Sequence, residues 1–213
     1  MNRLWLSFVS IFAMSLIVFV FFILRLRPIE LPKPDDGSTV ASPTNPTVTF
    51  VNPSYCASDA KVTIIVFSDF ECAACKTLAT SLEAAAKTYP NSVRVVWKNL
   101  PNESLHKMAT PSAIAAHCAD QQKKFWEYHD ALFARQNALS ETQFTLIANE
   151  LDLDAKKFQS CYEERDTLPI VKKDYEEGLA LGLTSTPTIF INEKMMVGSI
   201  ELQDLFDAIE LKL

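Results

Sequence analysis

Residues 61–78 read KVTIIVFSDFECAACKTL. The β-branched apolar run from Lys61 to Phe70 is long enough for a buried strand. Behind it, starting from Cys75, the apolar positions Leu78, Leu82, Ala85 and Tyr89 step by three and four, the period of a helix face, until Pro90 ends the run. VRVVW, Val93 to Trp97, is a second strand. Strand, helix, strand at this spacing is a βαβ unit, whose two strands should run parallel. Cys72 therefore falls where the strand hands over to the helix, and Cys75 sits one turn further on, facing the same side.

That placement gives the cysteine pair a chemistry. Unpaired backbone N–H groups and the helix dipole favour an anion at a helix start. They lower the Cys72 thiol pKa and make it the exchanging nucleophile. Cys75 is near enough to attack a mixed disulfide formed there. Zinc would need two further ligands at matching spacing. No second Cys-x-x-Cys is present, and His106, His117 and His129 show no paired ligand spacing, so no metal is expected. Two cysteines buried by chance would not account for this position in the βαβ unit.

Downstream, Thr110-Pro111 reads as an N-cap followed by Pro at the first helical position. FWEYHDALF (125–133) places Phe125, His129, Leu132 and Phe133 on one face. Ser140 and Gln143 form a capping-box pattern. Ile170 to Leu181 make a helix stopped by Gly182. TPTIFIN (186–192) returns to strand character, and KMMV (194–197) can pair with it as a hairpin. ELQDLFDAIELKL (201–213) is an amphipathic helix with Leu202, Leu205, Phe206 and Ile209 inward. With TVTFV (47–51) as a first strand, the order is β, β-α-β, helices, β-β-α, an α/β fold.

Upstream, Leu4 to Leu24 holds 21 residues without a charge, and about 20 suffice to cross a bilayer as a helix. The run ends in LRLRP, with no small-x-small cleavage site. Residues 1–27 are read as a transmembrane signal-anchor, residues 28–53 as a Pro-rich linker, and residues 54–213 as the folded domain. The flanking charges are Arg3 before the segment and Arg25, Arg27 and Lys33 after it. The positive-inside rule would put the folded domain in the cytoplasm, whereas the cysteine chemistry calls for an oxidising, extracytoplasmic space. The net charge is −6 with no basic run, which argues against nucleic acid. Four glycines without a phosphate-loop string leave no expectation of a nucleotide cofactor.

FSDFECAAC, CADQQKKFWEYHDALF, FQSCY and STPTIFIN together resemble the DsbA-like thiol:disulfide oxidoreductases of the thioredoxin superfamily. The resemblance covers most of residues 61–213. It implies a thioredoxin-like fold with a helical insertion, about 104–182, before the final hairpin. It implies Cys72 and Cys75 as the catalytic pair and a cis-proline loop at Thr186-Pro187 for polypeptide binding. It also implies a structural disulfide between Cys118 and Cys161; the alternative for these two is a pair of small buried hydrophobes. The implied partners are thiol-containing secreted proteins and a membrane oxidase of the DsbB or vitamin-K-epoxide-reductase type. A reductase for specific clients and a redox-inert polypeptide-binding module are the alternatives. Two positions depart from the family pattern. Ala73-Ala74 replaces the proline and histidine of strongly oxidising members. Val66 stands where the superfamily commonly carries a buried acid that moves protons at the second sulfur. Glu71 should oppose thiolate formation at Cys72 if it lies close. Cys56 is left over as a free thiol, and His117 reads as a partly exposed helix histidine.

Overall fold

The computed structural model describes residues 44–56 and 59–213, together with Met14 and Leu16. The expected signal-anchor and most of the Pro-rich linker lie outside the described residues. No helix among the described residues is long and apolar enough to cross a membrane.

The sheet grows from the βαβ unit. Strands β2 (Val62–Ser68) and β3 (Val93–Asn99) pair in parallel across helix α1 (Ala73–Thr88). Strand β1 (Ser54–Cys56) adds antiparallel to β3. Strands β4 (Thr188–Ile191) and β5 (Lys194–Val197) form the hairpin that completes the order β1-β3-β2-β4-β5. Between β3 and β4 the chain runs through α2 (Ala109–Asp120), α3 (Phe125–Ala134), α4 (Glu141–Glu150), α5 (Ala155–Glu163) and α6 (Leu168–Ala180). Helix α7 (Leu202–Glu210) closes the chain.

Three local expectations need correction. The first strand is Ser54–Cys56, not Thr47–Val51. Asn52 accepts from the backbone and hydroxyl of Thr49 and returns a backbone bond to Thr49, so the chain turns there instead of extending. Helix α2 starts at Ala109 with Met108 as N-cap, so Thr110 is not the cap. Pro111 still lies in the first turn, where its missing N–H costs nothing. Leu202 is exposed (44%), leaving Leu205, Ala208 and Ile209 as the buried stripe of α7. The Ser140 cap forms as expected, its hydroxyl accepting from Gln143 N at 3.3 Å.

Strand alternation divides the core in two. Ile64 and Val66 pack with Leu78, Leu82 and Ala85 of α1 and with α2, α3 and α7. Ile65 and Phe67 face the other way, with Val96, Leu100 and Phe190. Helix α6 covers that second face. A β-carbon at Gly178 would sit 2.8 Å from Leu100 Cδ1, so a larger residue there would have to push the Leu100 side chain aside.

Lys98 is also on this face and is 1% exposed. Its ammonium lies 3.3 Å from Asp174 Oδ1 and 2.6 Å from Glu177 Oε2, both on α6. Asn99 N and Nδ2 donate to Asp174 Oδ2. Asn52 Nδ2 donates to Asp174 Oδ1, and Thr47 donates to Glu177, which fastens the entering segment to the same helix. On the insertion, Cys118 of α2 and Cys161 of α5 are joined by a disulfide with Cα atoms 5.8 Å apart.

Taking one partner out of a buried ion pair leaves an uncompensated charge, at a cost of about 3–5 kcal/mol. Lys98→Met is expected to lower the unfolding free energy by about that amount, because two carboxylates then face each other without the ammonium. Urea unfolding checks it: the midpoint should fall with the slope unchanged. A loss of under about 1 kcal/mol would mean that the cluster relaxes or hydrates freely.

Candidate active site

Cys72 is the N-cap of α1, with φ −77° and ψ 117°. Its sulfur accepts from Cys75 N at 3.3 Å, and its carbonyl accepts from Lys76 N at 3.2 Å. Capping is ordinarily the work of Ser, Thr, Asp or Asn, whose oxygen satisfies an orphan N–H. Here a sulfur does it, and the same N–H group that needs a cap favours negative charge on that sulfur. The Thr186–Pro187 bond is cis. The Thr186 carbonyl oxygen is 3.5 Å from Cys72 Sγ and accepts from its thiol. Both cysteines are reduced; Cys72 is 8% exposed and Cys75 1%.

The two thiols are driven apart in acidity. Cys72 is lowered to about 6, chiefly by the hydrogen bond from the Cys75 thiol, with the Cys75 backbone N–H adding to it. Cys75 is pushed well above the ordinary thiol range, first by burial and then by the Cys72 sulfur beside it. Cys72 is thus the more acidic and the more accessible sulfur of the pair, while Cys75 holds its proton until something takes it.

The loop before the motif is braced on both sides. Asp69 is buried, and its carboxylate accepts from Glu71 N (2.8 Å), Asn102 N (2.9 Å) and His106 Nδ1 (2.9 Å). Burial opposes charge on His106, yet the Asp69 carboxylate holds its pKa above the usual imidazole value. Gln136 Nε2 reaches over from the helical insertion and donates to the carbonyls of Phe70 and Cys72 at 2.8 and 2.9 Å. Glu71 does not act on Cys72 as expected. Its carboxylate accepts from Met108 N at the start of α2, and the acid that raises the Cys72 pKa is Asp69. His117 is buried rather than partly exposed, because α2 is covered almost all round. Its Nε2 is 2.8 Å from Asn99 Nδ2, and burial lowers it to about 4.

Two hollows flank the pair. A cleft of about 810 Å³ runs from Thr186 along Leu183, Leu179, Leu168 and Leu100. A smaller cavity of about 190 Å³ lies behind Cys75, lined in part by Val66, Ser68, Trp97 and His129. Cys56 is an exposed thiol on β1, not bonded to either cysteine of the pair. No group of three or more metal-ligating side chains occurs among the described residues. The parts that Gln136, His106 and Asp69 play in bracing the loop are not legible in the sequence, because single polar residues in loops carry no periodic signal.

A lowered Cys72 pKa has a definite pH signature. Alkylation of the reduced protein by iodoacetamide is expected to rise with a midpoint near pH 6, about 6 being the folded value. The folded pKa lies below the unfolded thiol value of roughly 8.5, so the stabilisation is fully present above that value. It is lost as pH falls through the folded pKa. Chemical unfolding of the reduced protein should therefore show this contribution disappearing between about pH 8.5 and 6. An alkylation midpoint near 8.5 would contradict the assignment.

The thioredoxin family profile matches residues 51–211. Curated relatives include Na(+)/H(+) antiporter NhaA 3 of Salinispora tropica, 32% identical over 151 residues, with 71% of this chain and 23% of the relative covered. Na(+)/H(+) antiporter NhaA 1 of Mycolicibacterium vanbaalenii is 27% identical over 206 residues, covering 95% of this chain and 33% of the relative. The chain thus spans between about a quarter and a third of the length of these relatives. A thioredoxin-like oxidoreductase from Silicibacter pomeroyi superposes with a TM-score of 0.67 at 26% identity, covering 76% of this chain and 92% of that one. The thiol-disulfide exchange protein alpha-DsbA2 from Wolbachia pipientis shares the fold, with a TM-score of 0.69 at 17% identity over 76% of this chain and 87% of that one. The chain belongs to the thioredoxin family, and its domain has the fold of these thiol-disulfide exchange proteins.

Proposed function

We propose that the protein is a membrane-anchored, extracytoplasmic oxidase that introduces disulfides into thiol-containing client proteins through Cys72-Ala-Ala-Cys75. The observation that carries this reading is the stabilised Cys72 sulfur at the start of α1. A thiolate held by the fold stabilises the reduced form, and a stabilised reduced form makes the disulfide a stronger oxidant.

The cycle begins with the Cys72–Cys75 disulfide. A client thiolate attacks Cys72 Sγ; the S–S bond breaks, and its electron pair leaves with Cys75, which takes a proton. A second client thiolate then attacks the client sulfur of the mixed disulfide, and Cys72 leaves as the thiolate. The client is oxidised by two electrons and the pair is reduced by two. A membrane oxidase of the DsbB or vitamin-K-epoxide-reductase type removes those electrons. The client backbone lies as an added strand against Thr186, and the cleft along Leu179 and Leu183 takes its apolar side chains. The apolar segment Leu4 to Leu24 holds the domain at the membrane, and the Cys118–Cys161 bridge supports an oxidising compartment.

Cys75→Ala is expected to accumulate mixed disulfides with clients on non-reducing gels, and Cys72→Ala none. Equal trapping by both would remove Cys72 as the sulfur that exchanges with clients. Against glutathione, the pair should equilibrate between about −200 and −120 mV; a value near −270 mV, the thioredoxin range, would indicate a reductase.

A C-terminal alkaline phosphatase fusion of the full chain should be active in cells. An inactive phosphatase together with a fluorescent cytoplasmic reporter would overturn the topology.

A further inference from the structure

The exchange cycle requires Cys75 to gain and lose a proton, and the usual buried acid is absent. Val66 occupies that place and is buried beside Cys75 in the same cavity. The other neighbours of the motif are committed elsewhere. Asp69 is saturated by Glu71 N, Asn102 N and His106. Lys98 points to the opposite face of the sheet, into the α6 cluster. His117 is bonded to Asn99 on β3.

We propose that His129, positioned by Asp130, is the group that exchanges the Cys75 proton, through the cavity that lies between them. This rests on the proposed exchange function of the cysteine pair.

The geometry is that of a buried base with an orienting carboxylate. The His129 ring is held on edge by Trp97 and Phe133, with centroids 4.9 Å away in each case, and by Phe70 at 5.6 Å. Its Nδ1 is 2.8 Å from Asp130 Oδ1. A carboxylate accepts, so Nδ1–H donates, and the lone pair is left on Nε2. That is the tautomer a proton acceptor needs. The Asp130 side chain is 71% exposed, which gives the dyad a route to solvent. His129 itself is 5% exposed.

The cavity of about 190 Å³ joins this dyad to Cys75. A water needs roughly 10–15 Å³ of such space and two or more polar partners. Several therefore fit between His129 and Ser68, which lines the cavity with Cys75 and favours its thiolate. The other titratable groups facing the cavity are Tyr55 on β1 and Glu83 on α1. Burial keeps the Tyr55 phenol protonated, and Glu83 is paired with Lys87 at the surface. Strands β2 and β3 contribute Val66, Ser68, Val95 and Trp97, none of them an acid or base at neutral pH. Burial keeps the imidazole below its ordinary pKa despite Asp130, so it is a neutral base at pH 7.

In the resolving direction, the Cys75 S–H proton passes by way of the Ser68 hydroxyl or water to His129 Nε2. The Cys75 thiolate attacks Cys72 Sγ. The Cys72–sulfur bond to the client breaks, and its electron pair leaves with the client thiolate, which is protonated from solvent. The Nε2 proton then returns to solvent by way of water in the cavity, which Asp130 also lines, while the Asp130 carboxylate keeps Nδ1–H in place and stabilises the imidazolium. In the oxidising direction the same atoms run in reverse, and the departing Cys75 thiolate is protonated from the dyad.

The test uses the full-length chain carrying glutathione as a mixed disulfide on Cys72. Rapid mixing follows release of glutathione between pH 4 and 9. Wild type should show a rate limb that titrates below the ordinary histidine value. His129→Gln should lose that limb and resolve about 10² times more slowly at pH 7, within the range for removing a general base. Its Cys72 alkylation midpoint should stay where it is in wild type. Asp130→Asn should move the limb to lower pH and slow resolution less. A folded His129→Gln with the wild-type pH profile overturns the proposal. If His129→Gln does not fold, the exposed Asp130→Asn decides, and an unmoved limb overturns it. A wild-type chain that never forms or resolves the mixed disulfide overturns the exchange function itself and this inference with it, a result distinct from the variant outcomes.

Discussion

The bond from Cys75 N to Cys72 Sγ is the constraint on which the site is built. A helix that starts directly off a buried parallel strand must satisfy its first N–H groups locally. In this chain it does so with a sulfur. The one contact starts α1 and fixes the spacing of the two thiols, and it adds to the thiol–thiol bond and the burial that separate their acidities. The remaining pieces bring the rest of the chain to that point. Gln136 ties the helical insertion to the carbonyls of Phe70 and Cys72, and Asp69 ties the loop after β3 to the loop before α1. The cis-proline loop brings Thr186 to within reach of the Cys72 sulfur. The site therefore depends on three segments distant in sequence, each anchored by hydrogen bonds at or beside the motif.

The opposite face of the sheet solves a different problem. Lys98 follows Trp97 in β3, so alternation alone forces one of the two beneath α6. A buried ammonium there is tolerable because α6 supplies Asp174 and Glu177 one turn apart. The same carboxylates hold Asn52 and Thr47, and so the segment that leads into β1. The charge cluster thereby sets where the chain enters the domain, while the apolar and aromatic layer on the other face is left for the thiols.

Much of this architecture is legible in the amino-acid sequence, and the reasons are physical. The βαβ unit, the hairpin and α7 have strong periodicity bounded by Pro and Gly, so KVTIIVFSDFECAACKTL and TPTIFIN suffice to place them. The position of Cys72 at the start of α1 follows from that pattern. What is not legible depends on contacts between residues far apart. Glu71 is adjacent to Cys72 in sequence but turns toward Met108. His117 looks like one polar residue in a helix but is covered by its neighbours. The β-branched residues of Thr47–Val51 favour a first strand there, yet the Asn52 side chain folds that stretch into a turn. His129 lies in plain view on the apolar face of α3, and only the cavity that it shares with Cys75 separates it from an ordinary core histidine.

The bridge between α2 and α5 makes this chain a substrate of the chemistry proposed for it. A newly made copy carries Cys56, Cys72, Cys75, Cys118 and Cys161 as thiols. On the oxidase reading proposed for it, the chain is itself oxidised at two places, one permanent and one renewed each turnover. An older copy already at work can supply the permanent one, since Cys118 and Cys161 are then simply two client thiols on an incompletely folded chain. Supply of mature protein would accelerate as it accumulates, and a cell with none would depend on another oxidant to start the series.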